Sequence, residues 1–223
     1  MIKQPGIQKT AAVARVEEKH PHTGIAWSGG LDSTAVVLHC LREGHFVDLC
    51  SLRILNKGGR GQHRREERAR NKIVAWLDDH RRDFKGRISL VQNASLDIDW
   101  VRQTGEDERE STGSLLVSCL IPLMTDAPRV GFGYCRTDHF WRFQVRFRNR
   151  INSLFPNKKL WFPMRYLDKL DIARRYYSGR EDLFEICAEI VPFTEADSDL
   201  AAKKQQLKEM RAELARIRKQ LER

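Results

Sequence analysis

The chain has 223 residues, 41% of them hydrophobic, and a formal net charge of +10 at pH 7. This length and composition predict one folded domain with an appendage rather than an extensively disordered chain. Because no apolar run approaches the roughly eighteen residues of a membrane span and the amino terminus lacks an apolar signal segment, we expect a cytoplasmic protein. The positive charge favours a nucleic acid or a polyphosphate ligand without separating the two.

The cysteines argue against a zinc site. They are widely spaced, with no CxxC pair and no Cys/His cluster at the spacing of zinc ligands. We therefore expect reduced, mostly packed thiols at all five positions: Cys40, Cys50, Cys119, Cys135 and Cys187.

Strand-like and helix-like segments alternate through the first part of the chain. Apolar runs predict strands at 24–27, 47–55, 88–94 and 129–135, and amphipathic periodicity predicts helices at 32–44, 62–80 and 115–126. Gly44 is the expected C-cap of the first helix, and a polar loop runs from Asp97 to Ser114. This alternation predicts an α/β fold, a doubly wound and mostly parallel sheet with helices on both faces.

Arginines and aromatic residues share the next predicted helix. Aromatic residues recur at helical spacing from Phe140, and three arginines form a row on another face: Arg142, Arg146 and Arg150. This pattern is typical of an amphipathic helix with a solvated basic face, or of a helix that contacts phosphate or RNA. Residues 159–177 then predict an extended segment, a break at a proline and another helix.

The last predicted element is a helix with a heptad pattern. From Leu200 to Leu221, mostly apolar residues occupy the a and d positions among charged residues, without a helix breaker. We therefore divide the chain into a larger domain, residues 1–195, and a coiled-coil helix, residues 196–223, that pairs with a second copy in a homodimer. In a parallel pair, Glu213 at a g position would face Arg218 at an e position of the second copy, a favourable match of charges. A helix folded back onto its own domain is the alternative.

The stretch SGGLDST, residues 28–34, joins the first predicted strand to the first predicted helix. A strand-to-helix corner aims several backbone N–H groups at one point, where the helix dipole adds partial positive charge. Two glycines allow oxygens to approach the main chain, hydroxyls donate to phosphate oxygens, and Asp32 can orient Mg²⁺. Since the corner matches neither GxxxxGK[ST] nor GxGxxG, it predicts a different kind of phosphate site.

SGGLDST resembles the SGGxDS pyrophosphate-binding loop of the PP-loop ATP pyrophosphatases. Within that superfamily the chain is most similar to the 7-cyano-7-deazaguanine synthases. GQHRREERARNKI from Gly61, GYCRTDHF from Gly133 and FPMRYLDKLDI from Phe162 resemble the family's GQRHxxE, GxNxxDYS and TPLxxLTKxEI segments. The resemblance implies an adenine nucleotide alpha hydrolase-like fold that uses ATP and Mg²⁺. It also implies adenylation of a carboxylated deazaguanine, which then reacts with ammonia to give an amide or a nitrile.

Three departures from the family bear on the substrate. The family's late four-cysteine zinc cluster is missing, since Cys187 is the only cysteine late in the chain. The family's PGRN-like stretch is replaced by STGSLL from Ser111, and the asparagine of its GxNxxD segment is Cys135. Because the replaced positions lie toward the substrate, the identity of the adenylated acid is left open.

The residues expected to act on ATP fall into three groups. Pyrophosphate is expected at the corner residues, which are Ser28, Gly29, Gly30, Leu31, Asp32, Ser33 and Thr34. Adenine is expected at the ends of the first two strands, near Ala26, Trp27 and Arg53. The resemblance implies Lys169 as a cation near the α-phosphate and Asp138 as a substrate or metal ligand, with Arg64 as a second cation. Surface solvation of both cations, and packing of Trp27 beneath the loop, are the alternatives.

Two other functions fit the same sequence. A PP-loop enzyme that modifies a tRNA base would use the same adenylation, and the arginine-rich helix would suit it. A non-catalytic nucleotide-binding scaffold would depend more on its coiled coil than on its pocket. Salt-sensitive tRNA binding would favour the first, and pyrophosphate release from ATP separates both enzymes from the second.

Overall fold

The computed structural model describes residues 21–55, 60–97, 117–138, 149, 151–189 and 200–222. Within these ranges one five-stranded sheet forms, and all of its strand pairs are parallel. Its strands are β1 (His22–Ala26), β2 (Phe46–Leu55), β3 (Arg87–Asp97), β4 (Arg129–Phe132) and β5 (Lys159–Trp161). The predicted α/β fold with a parallel sheet is confirmed.

Helices accompany the sheet in the described ranges. Those named below are α1 (Leu31–Arg42), α2 (Arg60–Asp79), α3 (Lys169–Ile172), α4 (Glu181–Ala188) and α5 (Leu200–Leu221); residues 117–120 and 151–154 are helical as well. A single π-helical segment, Ala173–Tyr177, continues α3 directly. None of the described helices is both long enough and apolar enough to span a membrane.

The strand order β3-β2-β1-β4-β5 reverses direction at β1. The chain moves from β1 outward to β2 and β3, and it then returns to the other side of β1 with β4. In open α/β sheets, ligands bind outside the carboxyl ends of the strands at such a reversal, because the two adjoining loops diverge and leave a crevice. The strand order therefore predicts a ligand site at the loops that follow β1 and β4.

Two apolar clusters lie on the opposite faces of the sheet, as the alternation of side chains along a strand requires. Ile25 of β1 packs in one cluster with residues of α1 and α2. Phe132 of β4 packs in the other with Ile121 and Ile151, which belong to helical segments after β3 and before β5. Helices therefore cover both faces, as predicted for a doubly wound sheet.

Several predicted boundaries differ from the structure. The predicted helix at 115–126 is helical at 117–120 and continues only as a 3₁₀ turn, Ile121–Leu123, because Pro122 cannot donate the next helical hydrogen bond. The extended segment after residue 158 is strand β5, and α4 was not predicted. The polar loop beyond Asp97 and most of the arginine-rich helix, including Arg142, lie outside the described residues.

The C-terminal helix α5 packs against its own domain. Leu207, Met210 and Leu214, which hold a and d positions of the heptad pattern, are each at most 4% exposed and belong to the core beside α1. Glu213 accepts a hydrogen bond from Arg174 Nε at 2.8 Å instead of facing a second helix. The helix is present as predicted, but its apolar seam is buried by this chain, which is the fold-back alternative.

Pairing of α5 with a second copy would have to replace these intramolecular contacts. The apolar a and d residues Leu207, Met210 and Leu214 are buried by the chain's own domain. A homodimer stays a prediction. The predicted domain boundary between residues 195 and 196 lies outside the described residues.

Candidate nucleotide site at the reversal of the sheet

The corner between β1 and α1 presents backbone and hydroxyl donors. Gly29 adopts a positive φ of 86°, which glycine reaches without strain, and Gly30, the N-cap of α1, has no side chain to accept from the N–H groups of the first turn. Since Thr34 N donates to Gly30 O, the N–H groups of the three preceding residues have no acceptor within the helix. Unsatisfied donors at a helix start form a site for an anion.

Two serine hydroxyls line this corner. The hydroxyls of Ser28 and Ser33 lie 3.0 Å apart, and Gly30 N donates to Ser28 Oγ at 3.2 Å. Ser28 is exposed at the surface of the corner, whereas Ser33 is buried with Oγ directed at Gly30 O. Both hydroxyls can donate to a phosphate oxygen if they give up these local bonds.

The loop after β4 packs directly against the first turn of α1. A Cβ on Gly133 would lie 2.6 Å from Ser33 N and 2.7 Å from Asp32 C, so only glycine permits this approach. The loop then turns at Cys135, whose N–H donates to Asp138 Oδ2 at 2.7 Å. Gly133 was not predicted as a site residue, although its place immediately after an apolar strand is the signal that could have found it.

Lys169 bridges the two loops from the start of α3. Its ammonium binds Asp32 Oδ2 and lies 3.4 Å from Asp138 Oδ1. Asp168 caps α3 by accepting from Asp171 N at 2.8 Å, which fixes where the lysine leaves the helix. The structure thus brings together three residues that the sequence predicted as catalytic.

A second contact ties the β4 loop to α3. Arg136 donates from its backbone N–H to Leu167 O at 2.9 Å and from its guanidinium to Asp168 Oδ2 at 3.1 Å. The lysine-bearing helix and the loop that carries Asp138 therefore form one connected support for the site.

Burial and neighbouring charges shift the pKa values within the bridge, the cluster of Lys169, Asp32 and Asp138. Burial raises the pKa of Asp32, the charge of Asp138 adds to that rise, and the ammonium of Lys169 opposes it. Burial alone would lower the pKa of Lys169, but the neighbouring acids, Asp32 foremost, outweigh it and raise that pKa above its ordinary value. Lys169 is therefore a cation at neutral pH, and its single ammonium faces two carboxyl groups.

The same residues offer ligands for a divalent metal. Ligand atoms of Asp32, Cys135 and Asp138 all lie within 4.8 Å of one another. Asp32 Oδ1 is a buried oxygen without a hydrogen-bond partner in the described structure, which fits an acceptor waiting for a metal or a bound water. The hard carboxylates suit Mg²⁺, whereas the thiol of Cys135 does not, so the two aspartates are the residues that fit the ion.

Two residues predicted to contact ATP support the corner from below. Trp27 is 2% exposed, and its Nε1 donates to the Thr34 hydroxyl at 3.2 Å inside the core. Neither side chain reaches the surface of the corner, because both fill the space beneath the first turn of α1. The alternative in which Trp27 packs beneath the loop is the arrangement observed.

The first turn of α1 is also held by a buried tyrosine. Leu31 is buried, and its carbonyl accepts a hydrogen bond from the hydroxyl of Tyr177 at 2.6 Å. Tyr177 lies in the π-helical segment that continues from Lys169. The continuous helical stretch 169–177 therefore supplies both the cation of the site, Lys169, and the hydrogen bond from Tyr177 that holds the start of α1.

The remaining predicted residues lie further from the bridge. Ala26 is half-buried at the carboxyl end of β1, and Arg53 lies toward the end of β2 with its side chain outside the described residues. Arg64 is exposed on α2. Arg70, six residues further along α2, reaches the corner instead of Arg64, and its guanidinium donates to Ser28 O at 3.4 Å.

Arg70 is 7% exposed and lies on the buried side of α2. Arg70 was not predicted as a site residue, although it precedes Ile73 and Leu77 at helical spacing and so shares their face of α2.

Comparisons with known proteins give similarity to solved structures alone. No protein-family model matches the chain. No curated protein matches it either. One similar structure is described as a predicted subunit of a tRNA methyltransferase from Methanocaldococcus jannaschii, with 17% identity and a TM-score of 0.45 over 71% of this chain and 75% of that one.

A second similar structure is the U34-tRNA thiolase NcsA from Methanococcus maripaludis with its [4Fe-4S] cluster. It has 10% identity and a TM-score of 0.43 over 87% of this chain and 72% of that one. Similarity at this level assigns no activity, so the function is inferred from the geometry of the site.

Proposed function

We propose that this chain binds ATP at the corner between β1 and α1 and transfers its adenylyl group to an oxygen of an acceptor, with release of pyrophosphate. The observation that carries the proposal is the meeting of unsatisfied helix donors with the bridge of Lys169, Asp32 and Asp138 at the reversal of the sheet. A polyphosphate is the ligand that uses both parts at once, since it needs donors and counter-charge together.

The corner suits the leaving diphosphate. The acceptor oxygen attacks the α-phosphorus, the bond from that phosphorus to the oxygen bridging to the β-phosphate breaks, and the electron pair leaves with pyrophosphate. N–H groups fixed at the start of α1 stabilise the charge that develops on the departing oxygens, and they do so without reorganising. The close contact at Gly133 and the hydroxyl of Tyr177 keep those donors in place.

Lys169 suits the α-phosphate because its ammonium can turn from Asp32 toward an incoming anion. Two carboxyl groups face the single ammonium of Lys169, so this cluster offers little positive charge to a tetra-anionic nucleotide that binds alone. Bound Mg²⁺ supplies the compensating charge and shields the phosphate oxygens. Asp32 and Asp138 are the residues that would hold the ion, and Asp32 Oδ1 is already without a protein partner.

For the acceptor, the motif resemblance favours a carboxylated deazaguanine that reacts onward with ammonia to give an amide or a nitrile. The alternative acceptor is a base of tRNA. Cys135 occupies the family's asparagine position and is fully buried beside Asp32 and Asp138, so a weakly hydrogen-bonding thiol stands where the family has a carboxamide. The non-catalytic scaffold remains the third candidate.

The decisive experiment measures pyrophosphate release from MgATP with the deazaguanine acid plus ammonia, with tRNA, and with neither acceptor. Asp32→Asn should abolish release, whereas Asp78→Asn, which removes an exposed carboxylate of α2, should leave it unchanged. Release stimulated by only one acceptor identifies the substrate class. Tight MgATP binding without release under any condition would establish the scaffold and overturn the proposal.

A further inference from the structure

A second cavity lies at the opposite end of the sheet from the corner. It has a volume of about 230 Å³ and is bordered by the first residues of β2 and β3. Phe46, in its wall, pairs in register with His22 at the start of β1 on one side and with Arg87, also in the wall, on the other. The five residues of β1, at about 3.3 Å each, place the cavity about 16 Å from the corner. It is therefore not part of the proposed ATP site.

Positive charge dominates the wall of this cavity. Three of its lining residues are cations, namely Arg81, Lys85 and Arg87. The segment 81–87, RRDFKGR, contains four cations and a single acid, Asp83. Arg81 and Lys85 are exposed, and neither forms an ion pair or a side-chain hydrogen bond with any described residue. Their charges are thus available to an anion that enters the cavity.

Aromatic rings complete the wall. The guanidinium of Arg87 stacks 4.5 Å from the centre of the Phe46 ring, which orients the plane of its N–H donors. Phe84 also lines the cavity. It is half-buried and lies between Arg81 and Lys85 in the sequence. Cations beside flat apolar rings form the combination that recognises a phosphate attached to a nucleoside, because a base can stack where the phosphate is paired.

The floor of the cavity is rigid backbone. Gly44 has a φ of 84°, and a Cβ on Gly86 would lie 2.2 Å from His45 O, so both positions need glycine. Gly86 N donates to Leu41 O at 2.8 Å and Arg87 N to His45 O at 3.1 Å. Because these backbone donors are already used, an anion here would be held by the cationic side chains.

We propose that this cavity is a second anion site, which binds a phosphate group carried by a nucleic acid or by a free mononucleotide. The inference is independent of the function proposed for the corner, since it rests on residues that lie at the other end of the sheet. In an enzyme that acts on RNA, the cavity would hold a backbone phosphate remote from the reacting base.

The test compares two double variants that each remove two positive charges. Arg81→Ala/Lys85→Ala removes lining cations, whereas the control Arg82→Ala/Lys72→Ala removes an exposed neighbour in the same turn and an exposed lysine of α2 that pairs with Glu189. Binding of a labelled single-stranded RNA oligonucleotide is measured by fluorescence anisotropy at several salt concentrations, and binding of inorganic phosphate by calorimetry.

We expect the lining variant to weaken binding at least about tenfold and to reduce the salt slope by about one for each lost phosphate contact. The control should weaken binding by less than about threefold. Loss of RNA binding identifies a nucleic acid as the source of the phosphate, and loss of phosphate binding alone identifies a free ligand. Equal loss in both variants, or no loss in the lining variant, would overturn the proposal.

Discussion

The ammonium of Lys169 binds the carboxylate of Asp32, a residue 137 positions earlier in the chain. Replacing the lysine by glutamine leaves two carboxylates facing each other and removes the cation expected at the α-phosphate. We expect Lys169→Gln to lower kcat/KM for pyrophosphate release at least about 100-fold, the usual effect of losing a charge-stabilising group. The matched control is Lys72→Gln, which breaks an exposed pair with Glu189 and should leave the rate within twofold, roughly.

A wild-type rate in Lys169→Gln would show that the bridge is structural. In that case only the thermal midpoint would fall, because a half-buried carboxylate had lost its partner.

The contact of Gly133 with the first turn of α1 predicts a defect specific to nucleotide binding. In Gly133→Ala the new methyl group would meet Ser33 N at 2.6 Å, so the β4 loop and the helix start must separate. We expect a loss of about 1–3 kcal/mol in unfolding free energy, together with weaker MgATP binding by calorimetry.

Gly179→Ala is the control for this prediction. Its φ of 72° makes alanine cost about 1 kcal/mol, yet a Cβ there has nothing within 4 Å. It should therefore lose stability and keep its affinity for MgATP. Equal affinities in the two variants would contradict the role given to Gly133.

Packing of α5 on its own domain predicts that the helix stabilises a monomer. Leu214 is 2% exposed in the core, so Leu214→Ala should lower the free energy of unfolding by about 2–5 kcal/mol. Leu221→Ala, at a residue that is 75% exposed, should change it by less than about 0.5 kcal/mol. Chemical denaturation at two protein concentrations measures both changes. A midpoint that rises with concentration would restore the homodimer through this helix.

One buried histidine, His45, and one half-buried histidine, His39, predict a loss of stability in mild acid. Burial lowers the pKa of His45, and Arg129, whose guanidinium is 3.0 Å from its Nδ1, lowers it further. Burial also lowers the pKa of His39. Below the ordinary value of about 6.5 the unfolded chain takes up protons that the folded chain does not, so stability falls as the pH falls.

Urea midpoints at pH 7.5 and pH 5.5 measure this effect. The fall between the two should be smaller in His45→Gln than in the unmodified protein. An identical fall would show that other groups cause it.

Much of the candidate site could be predicted from the sequence because the chemistry of the corner is local. Donors at a helix start and a carboxylate in the first turn belong to one stretch, so Ser28 to Thr34 could be recognised without a structure. Lys169 and Asp138 were placed by resemblance of short segments, but their distances to Asp32 depend on the order of the strands. No residue pattern reports that order directly.

The errors have physical causes as well. An amphipathic stripe such as that of α5 is the same whether it packs on a second helix or on its own domain, so Leu207 and Met210 could not decide between them. Trp27 precedes the motif and Thr34 ends it, yet both turn inward. Trp27 follows the alternation of β1 onto the face of Ile25, and Thr34 lies on the buried face of α1. Arg70 was missed because a cation in a charge-rich helix ordinarily faces water.

The hydrogen bond from Arg174 to Glu213 joins the segment after Lys169 to the final helix. That segment also carries Tyr177, whose hydroxyl holds Leu31 O at the start of α1. Local unfolding of α5 would therefore loosen the support of the corner from a distance. We expect conditions that melt α5 first to weaken nucleotide binding before the sheet itself unfolds.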